Sequence, residues 1–123
     1  MKKLLIVDDE PGVRSLVKMT LESQNYEILE ASNGREALDQ ARQHHPELIL
    51  LDVAMPQLSG LEVCREIKSD PAMSDVKILM LTARSQQSDE QGGVEAGADG
   101  YFTKPFSPIS LLEKVDEILG LSQ

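Results

Sequence analysis

The chain of 123 residues carries a single cysteine, Cys64, so no disulfide can form within it and a reducing compartment suits it. It lacks any apolar run near the roughly 18 residues that mark a membrane span. Its first such run, residues 4–7, is far too short for the core of a signal peptide. A cytoplasmic location is therefore expected. Basic side chains are outnumbered, twelve against twenty-one acidic, and the net charge of -9 would repel a nucleic-acid backbone or an anionic membrane. Neither direct nucleic-acid binding nor membrane association fits that balance. Nucleotide cradles are missing too: there is no G-x-x-x-x-G-K-[ST], and where a G-x-G-x-x-G would follow the first strand the chain reads Asp8-Asp9-Glu10. No linker, internal repeat, low-complexity segment or charge run divides it. At this length residues 1–123 make one domain, burying roughly two thirds of its unfolded surface.

What the chain does have is alternation of two periods. Residues 3–7, apolar from Leu4 on, and the wholly apolar 48–51 are short, as parallel strands buried on both faces should be. Further strands are expected over 26–30, 76–81 and 99–103. Between them lie helical stripes. Val13, Leu16, Val17, Thr20 and Leu21 follow Pro11, which a first helical turn tolerates. Ala37, Leu38 and Ala41 follow a cap at Ser32 or Asn33. Leu58, Leu61, Cys64 and Ile67 form the third stripe; Ile109, Leu111, Leu112, Val115, Ile118 and Leu119 form the last. Residues 85–97 make the weakest helix, because Gly92 and Gly93 fall inside it and each costs about 1 kcal/mol relative to alanine. Five strands alternating with five helices predict an α/β fold, a flavodoxin-like doubly wound (βα)5 with a parallel sheet in the order 2-1-3-4-5.

That order places the first and third strands side by side, and ligands gather outside the carboxyl ends of such strands. Asp8, Asp9 and Asp52 become neighbours there. Two carboxylates about 4 Å apart repel by about 4 kcal/mol at an effective dielectric of 20, so a cluster of this kind usually holds a cation. Oxygen-only donors favour a hard ion: magnesium is expected, with manganese as the alternative. With the charge neutralised, a carboxylate oxygen can attack a phosphoryl group. Lys104 and the Thr82 hydroxyl, at two further strand ends, would then hold its oxygens.

Four stretches carry a resemblance: Leu-Ile-Val-Asp8-Asp9-Glu10; Leu-Ile-Leu-Leu-Asp52-Val-Ala-Met-Pro56 with Gly60 beyond it; Leu-Thr82-Ala83; and Gly-Ala-Asp-Gly-Tyr-Phe-Thr-Lys104-Pro105-Phe106. Together they closely resemble the receiver domain of bacterial two-component response regulators, of the chemotaxis-regulator kind, over essentially the whole chain. The resemblance implies that Asp52 is the phosphoacceptor. Asp8, Asp9, Asp52 and the backbone carbonyl of Ala54 would hold the magnesium. Thr82 and Tyr101 would be switch residues, and Lys104 a phosphate-binding lysine before a cis peptide to Pro105. A histidine kinase or histidine phosphotransfer protein would be the donor. A downstream effector would meet the face of the 85–97 helix, the fifth strand and the last helix, and phosphorylation could drive dimerisation. In this family the side chains two beyond the acceptor and two beyond the threonine, here Ala54 and Arg84, flank the path of the hydrolytic water; neither can serve as its base, so dephosphorylation should be slow.

Such a switch catalyses its own phosphorylation without turning over external substrates. One alternative is an aspartyl-nucleophile phosphatase. The haloacid-dehalogenase-like pattern needs a second acid two residues after the nucleophile, where Ala54 stands. The other alternative is a docking scaffold that works without phosphorylation, against which the full set of acids, hydroxyl and lysine argues. His44 and His45 are adjacent and do not share a helix face, and histidine near a helix C-terminus suits the dipole. Cys64 lies on an apolar stripe, as core packing would have it.

Overall fold

The structure, a computed structural model, describes residues 2–24, 26–53, 55, 58–83, 97–104 and 107–120, with the backbone alone for residues 82, 83, 103 and 104. Five strands, β1 (Lys3–Val7), β2 (Glu27–Ala31), β3 (Leu48–Asp52), β4 (Lys77–Ala83) and β5 (Gly100–Lys104), alternate with helices α1 (Pro11–Glu22), α2 (Gly34–His44), α3 (Gly60–Ser69) and, after β5, α4 (Pro108–Leu119). The strands are all parallel and lie in the order β2-β1-β3-β4-β5, the order that the sequence predicts. Of the helix expected over residues 85–97, all but Gly97 lies outside the described residues, and Gly97 is in a turn with φ 93°. None of the described helices is long and apolar enough to cross a membrane.

The central strands are apolar along their middle residues because both of their faces are covered there. Leu5, Val7, Ile49, Leu51, Ile78 and Met80 point to one side and pack with Ala37, Leu38 and Ala41 of α2 and Val63, Cys64 and Ile67 of α3. Leu4, Ile6, Leu48, Leu50, Leu79 and Leu81 point to the other, against Val17 and Leu21 of α1 and Leu111 and Val115 of α4. The edge strand β2, covered less, keeps polar Glu27 and Glu30.

Local chemistry sets the helix ends. Asn33 is the cap of α2, its side chain accepting from the Glu36 amide. Ser59 and Glu62 form a capping box on α3, and Ser107 accepts from the Ser110 amide to start α4. Gly60 is needed for space: a Cβ there would run into the main-chain carbonyl of Asp52.

Two stripe residues face differently from the expectation. Leu16 is 42% exposed, because the buried stripe of α1 centres on Val17 and Leu21, and Leu16 lies about 100° round the helix from Val17. Ile109 is 71% exposed, on the first turn of α4 ahead of the buried Leu111 and Val115. Strands β2, β4 and β5 each begin one residue later than the sequence suggests. Asp99, for instance, bonds to Ile78 before the β5 ladder begins, its main-chain N–H reaching the Ile78 carbonyl at 2.9 Å.

Candidate functional site

Val7 ends β1 in register with Leu51 of β3 on one side and Ala31 of β2 on the other. The next residue on each central strand is an acid. Asp8 has 0% exposure and Asp52 5%, two carboxylates taken almost wholly out of water at adjacent strand ends. Asp52 is itself in register with Leu81, one residue before Thr82, and Ala83 of β4 pairs with Lys104 of β5. The backbone therefore brings all four positions to the carboxyl edge of one sheet, in the order β1, β3, β4, β5.

Asp8 is held at three points. Its N–H donates to the Ala31 carbonyl at 3.2 Å. Its carboxylate Oδ1 accepts from the Glu10 N–H at 2.9 Å, a local side-chain turn typical of aspartate. Its main-chain oxygen accepts from Arg14 Nη1 at 2.7 Å. The turn leaves Asp9 and Glu10 exposed, and oxygens of Asp8, Asp9 and Glu10 lie within 4.8 Å of one another. Glu10, whose carboxylate joins this group, follows the two aspartates directly in the sequence. An all-oxygen donor set fits a hard divalent cation such as magnesium, whose charge would offset the repulsion within the trio.

Around Asp52 the chain is packed against the start of α3. The Gly60 N–H donates to the Val53 carbonyl at 3.0 Å, and the Val53 N–H donates to the Leu81 carbonyl at 3.1 Å, so the residue after Asp52 is tied to both α3 and β4. Val53 and Met55 are buried in the loop that follows. The amino end of α3, with its partial positive charge, thus starts beside an acidic residue.

Tyr101 stands in register with Met80, half-buried against the core beneath α2 and α3, and its hydroxyl is buried. Three expected features fall outside the described residues: the Ala54 carbonyl, the Pro105 partner of the expected cis peptide, and Arg84. His45 is far along the chain's path from the acids, in the left-handed conformation (φ 47°) that ends α2, with Nε2 3.1 Å from both the Ala72 carbonyl and Asp75 Oδ1. It fastens the loop before β4. Cys64 is buried, and burial pushes its thiol up to about 11.

Comparison with known proteins adds to this geometry. Residues 4–116 match the response regulator receiver domain. The chain is 44% identical over 122 residues to the alkaline phosphatase synthesis transcriptional regulatory protein PhoP of Bacillus subtilis, covering 99% of this chain and 50% of PhoP. It spans about half the length of the curated relatives it matches. Among solved structures it is similar to the chemotaxis protein CheY4 of Vibrio cholerae, with a TM-score of 0.90, 36% identity, and coverage of 96% of this chain and 98% of that one. It is also similar to the receiver domain of the sensor histidine kinase PA1611 of Pseudomonas aeruginosa PAO1, with a TM-score of 0.89, 28% identity, and coverage of 97% and 98%. That structure has a magnesium ion coordinated in its active site cleft.

Proposed function

The chain belongs to the response regulator receiver domain family, and on that premise we propose that it is a phosphorylation-controlled signalling switch with Asp52 as its phosphoacceptor. The observation that carries the reading is the burial of Asp52 at the end of β3, next to the Asp8 strand end and one register step from Thr82. A carboxylate kept from bulk water at the meeting of four strand ends is a shielded nucleophile with a fixed approach.

In the reaction, an Asp52 carboxylate oxygen attacks phosphorus, the new O–P bond forms in line, and the bond to the donor atom breaks. The donor is the imidazole nitrogen of a histidine kinase or phosphotransfer protein, or acetate when acetyl phosphate is used. Asp8, Asp9 and the Ala54 carbonyl, together with Asp52, would hold magnesium; manganese has the same preference for oxygen donors. When bound, the ion neutralises charge on the phosphoryl oxygens. The Lys104 ammonium would balance another of those oxygens, and the Thr82 hydroxyl would donate a hydrogen bond to a third. Engagement of Thr82, with Tyr101 as its companion switch residue, would then alter the face around β5 and α4 that an effector reads. The magnesium in the PA1611 receiver and the acid trio at the end of β1 support this metal assignment.

The test is intact-protein mass after incubation with acetyl phosphate and magnesium. A single stable phosphoryl adduct on the wild type, absent in Asp52→Asn, is expected. Continuous phosphate release without an adduct would favour an aspartyl-nucleophile phosphatase, and no reaction at all would favour a scaffold.

A further inference from the structure

One side chain ties the acidic turn to the edge of the sheet. Arg14, one turn into α1, donates from Nη1 to the Asp8 main-chain oxygen at 2.7 Å. Its Nε lies 3.4 Å from Glu30 Oε1. Glu30 precedes Ala31, the residue whose carbonyl takes the Asp8 N–H, and its other carboxylate oxygen lies 3.4 Å from Lys18 Nζ. Strand β2 therefore grips Asp8 twice, directly at the amide and through Arg14 at the carbonyl. Between those grips the peptide plane that leads into Asp9 has little freedom. The guanidinium suits this task, since its planar, delocalised group donates an N–H to the Asp8 oxygen while its charge pairs with Glu30. The Arg14 side chain is 19% exposed and that of Glu30 37%, so the guanidinium end of the link is the better shielded from competing water.

We propose that Arg14 is a positioning residue for the divalent cation, fixing the Asp8–Asp9 turn in the geometry that the ion needs, with Glu30 as the anchor that holds the guanidinium in place. The proposal rests on the metal-dependent reading of the site. It makes a prediction opposite in sign to simple electrostatics. Removing a positive charge beside an acidic cluster should, by charge alone, tighten cation binding. Loss of the group that orients a metal-binding segment should weaken it, by about tenfold at the lower end of such effects.

The experiment is a magnesium chloride titration of the full chain followed by the amide resonances of Asp9 and Glu10, with thermal melts in chelator alongside. Arg14→Gln should raise the magnesium dissociation constant about tenfold. Arg14→Lys, which keeps the charge and loses the fork, should stay weakened. Glu30→Gln should weaken binding in the wild-type background and add nothing to Arg14→Gln, since the two act through one link. Unchanged or tighter binding in Arg14→Gln, wild-type affinity in Arg14→Lys, or an independent Glu30 effect in the double variant would each overturn the proposal. So would a lowered melting temperature in chelator with an unchanged dissociation constant, which marks a purely structural arginine. If Arg14→Gln does not fold, Arg14→Lys and Glu30→Gln carry the same decision. A wild type that binds no magnesium, with Asp9→Ala behaving identically, would remove the metal reading itself and the proposal with it.

Discussion

The Lys68 ammonium lies 2.8 Å from Asp99 Oδ2, and that same carboxylate oxygen accepts the Ile78 N–H at 2.8 Å. Lys68 also donates to the Val76 carbonyl at 2.7 Å. One ion pair thereby fastens α3, the start of β4 and the approach to β5 at the amino edge of the sheet, the edge opposite the acids. Both side chains are mostly shielded, 17% exposed for Lys68 and 26% for Asp99.

Breaking that pair should cost more than a surface ion pair would. Asp99→Ala leaves the Ile78 amide without its acceptor and the shielded Lys68 ammonium with the Val76 carbonyl but no counter-charge, and the expected loss is about 3 kcal/mol by urea unfolding. Asp99→Asn keeps an acceptor for the amide and should lose less. Equal losses in the two variants would show that the charge, and not the hydrogen bond, carries the effect.

Gly60 and Gly12 should respond in opposite directions to the same change. Gly60→Ala drives a methyl group into the Asp52 carbonyl and should destabilise by about 3 kcal/mol, with slower acetyl phosphate labelling because the acceptor's strand end must shift. Gly12 lies in α1 with nothing within 4 Å of its would-be Cβ. Gly12→Ala should stabilise by about 0.5–1 kcal/mol through helix propensity alone. Thermal melts of the two variants beside wild type check both.

Alkaline pH should weaken the fold through Cys64. Burial holds the folded thiol protonated up to about 11, against an ordinary 9.0 once the chain unfolds. The folded chain thus keeps its proton more tightly, so the contribution is whole below pH 9 and falls away as pH climbs through 11. Two pH units of difference amount to about 3 kcal/mol. Cys64→Ala should lose some stability at every pH from the missing packing, but show a shallower decline between those limits in urea titrations. At pH 8, iodoacetamide should label the unfolded chain and leave the native thiol unmodified.

The aspartyl phosphate should be long-lived. Ala54 cannot orient a water by hydrogen bonding, and Arg84 offers donors but no base. Phosphate loss from the wild type should be several-fold slower than from Ala54→Asn combined with Arg84→Glu. A wild type that already matches the double variant would refute the expectation.

The strand order and the placement of acids at the carboxyl edge were legible in the chain because each rests on a strong local pattern. The all-apolar runs 4–7 and 48–51 can be buried only as central strands, and an acid directly after each run must emerge at the carboxyl edge. Leu16 and Ile109 were misplaced because a leucine or isoleucine near a helical stripe looks the same in sequence whether or not a neighbour reaches it; burial is settled by the packing of α1 and α4. Glu10 stands beside the two aspartates in the sequence, where an acid before a helix is usually a response to the dipole. Arg14 could not be found at all. Its partner is a main-chain oxygen six residues back, and a carbonyl leaves no mark in a sequence.

The alternation of β1, β3 and β4 side chains between two separate cores bears on how such a chain can diverge. A substitution beneath α2 or α3 and one beneath α1 or α4 share no side-chain neighbour in those cores, so their energetic effects should add nearly independently. The helices that present outward surfaces can then drift in composition one layer at a time, each layer repacking against its own strand face. The acids at the carboxyl edge belong to the backbone common to both layers. A lineage can therefore acquire a new recognition surface on one side while its chemistry and the opposite surface remain as they were.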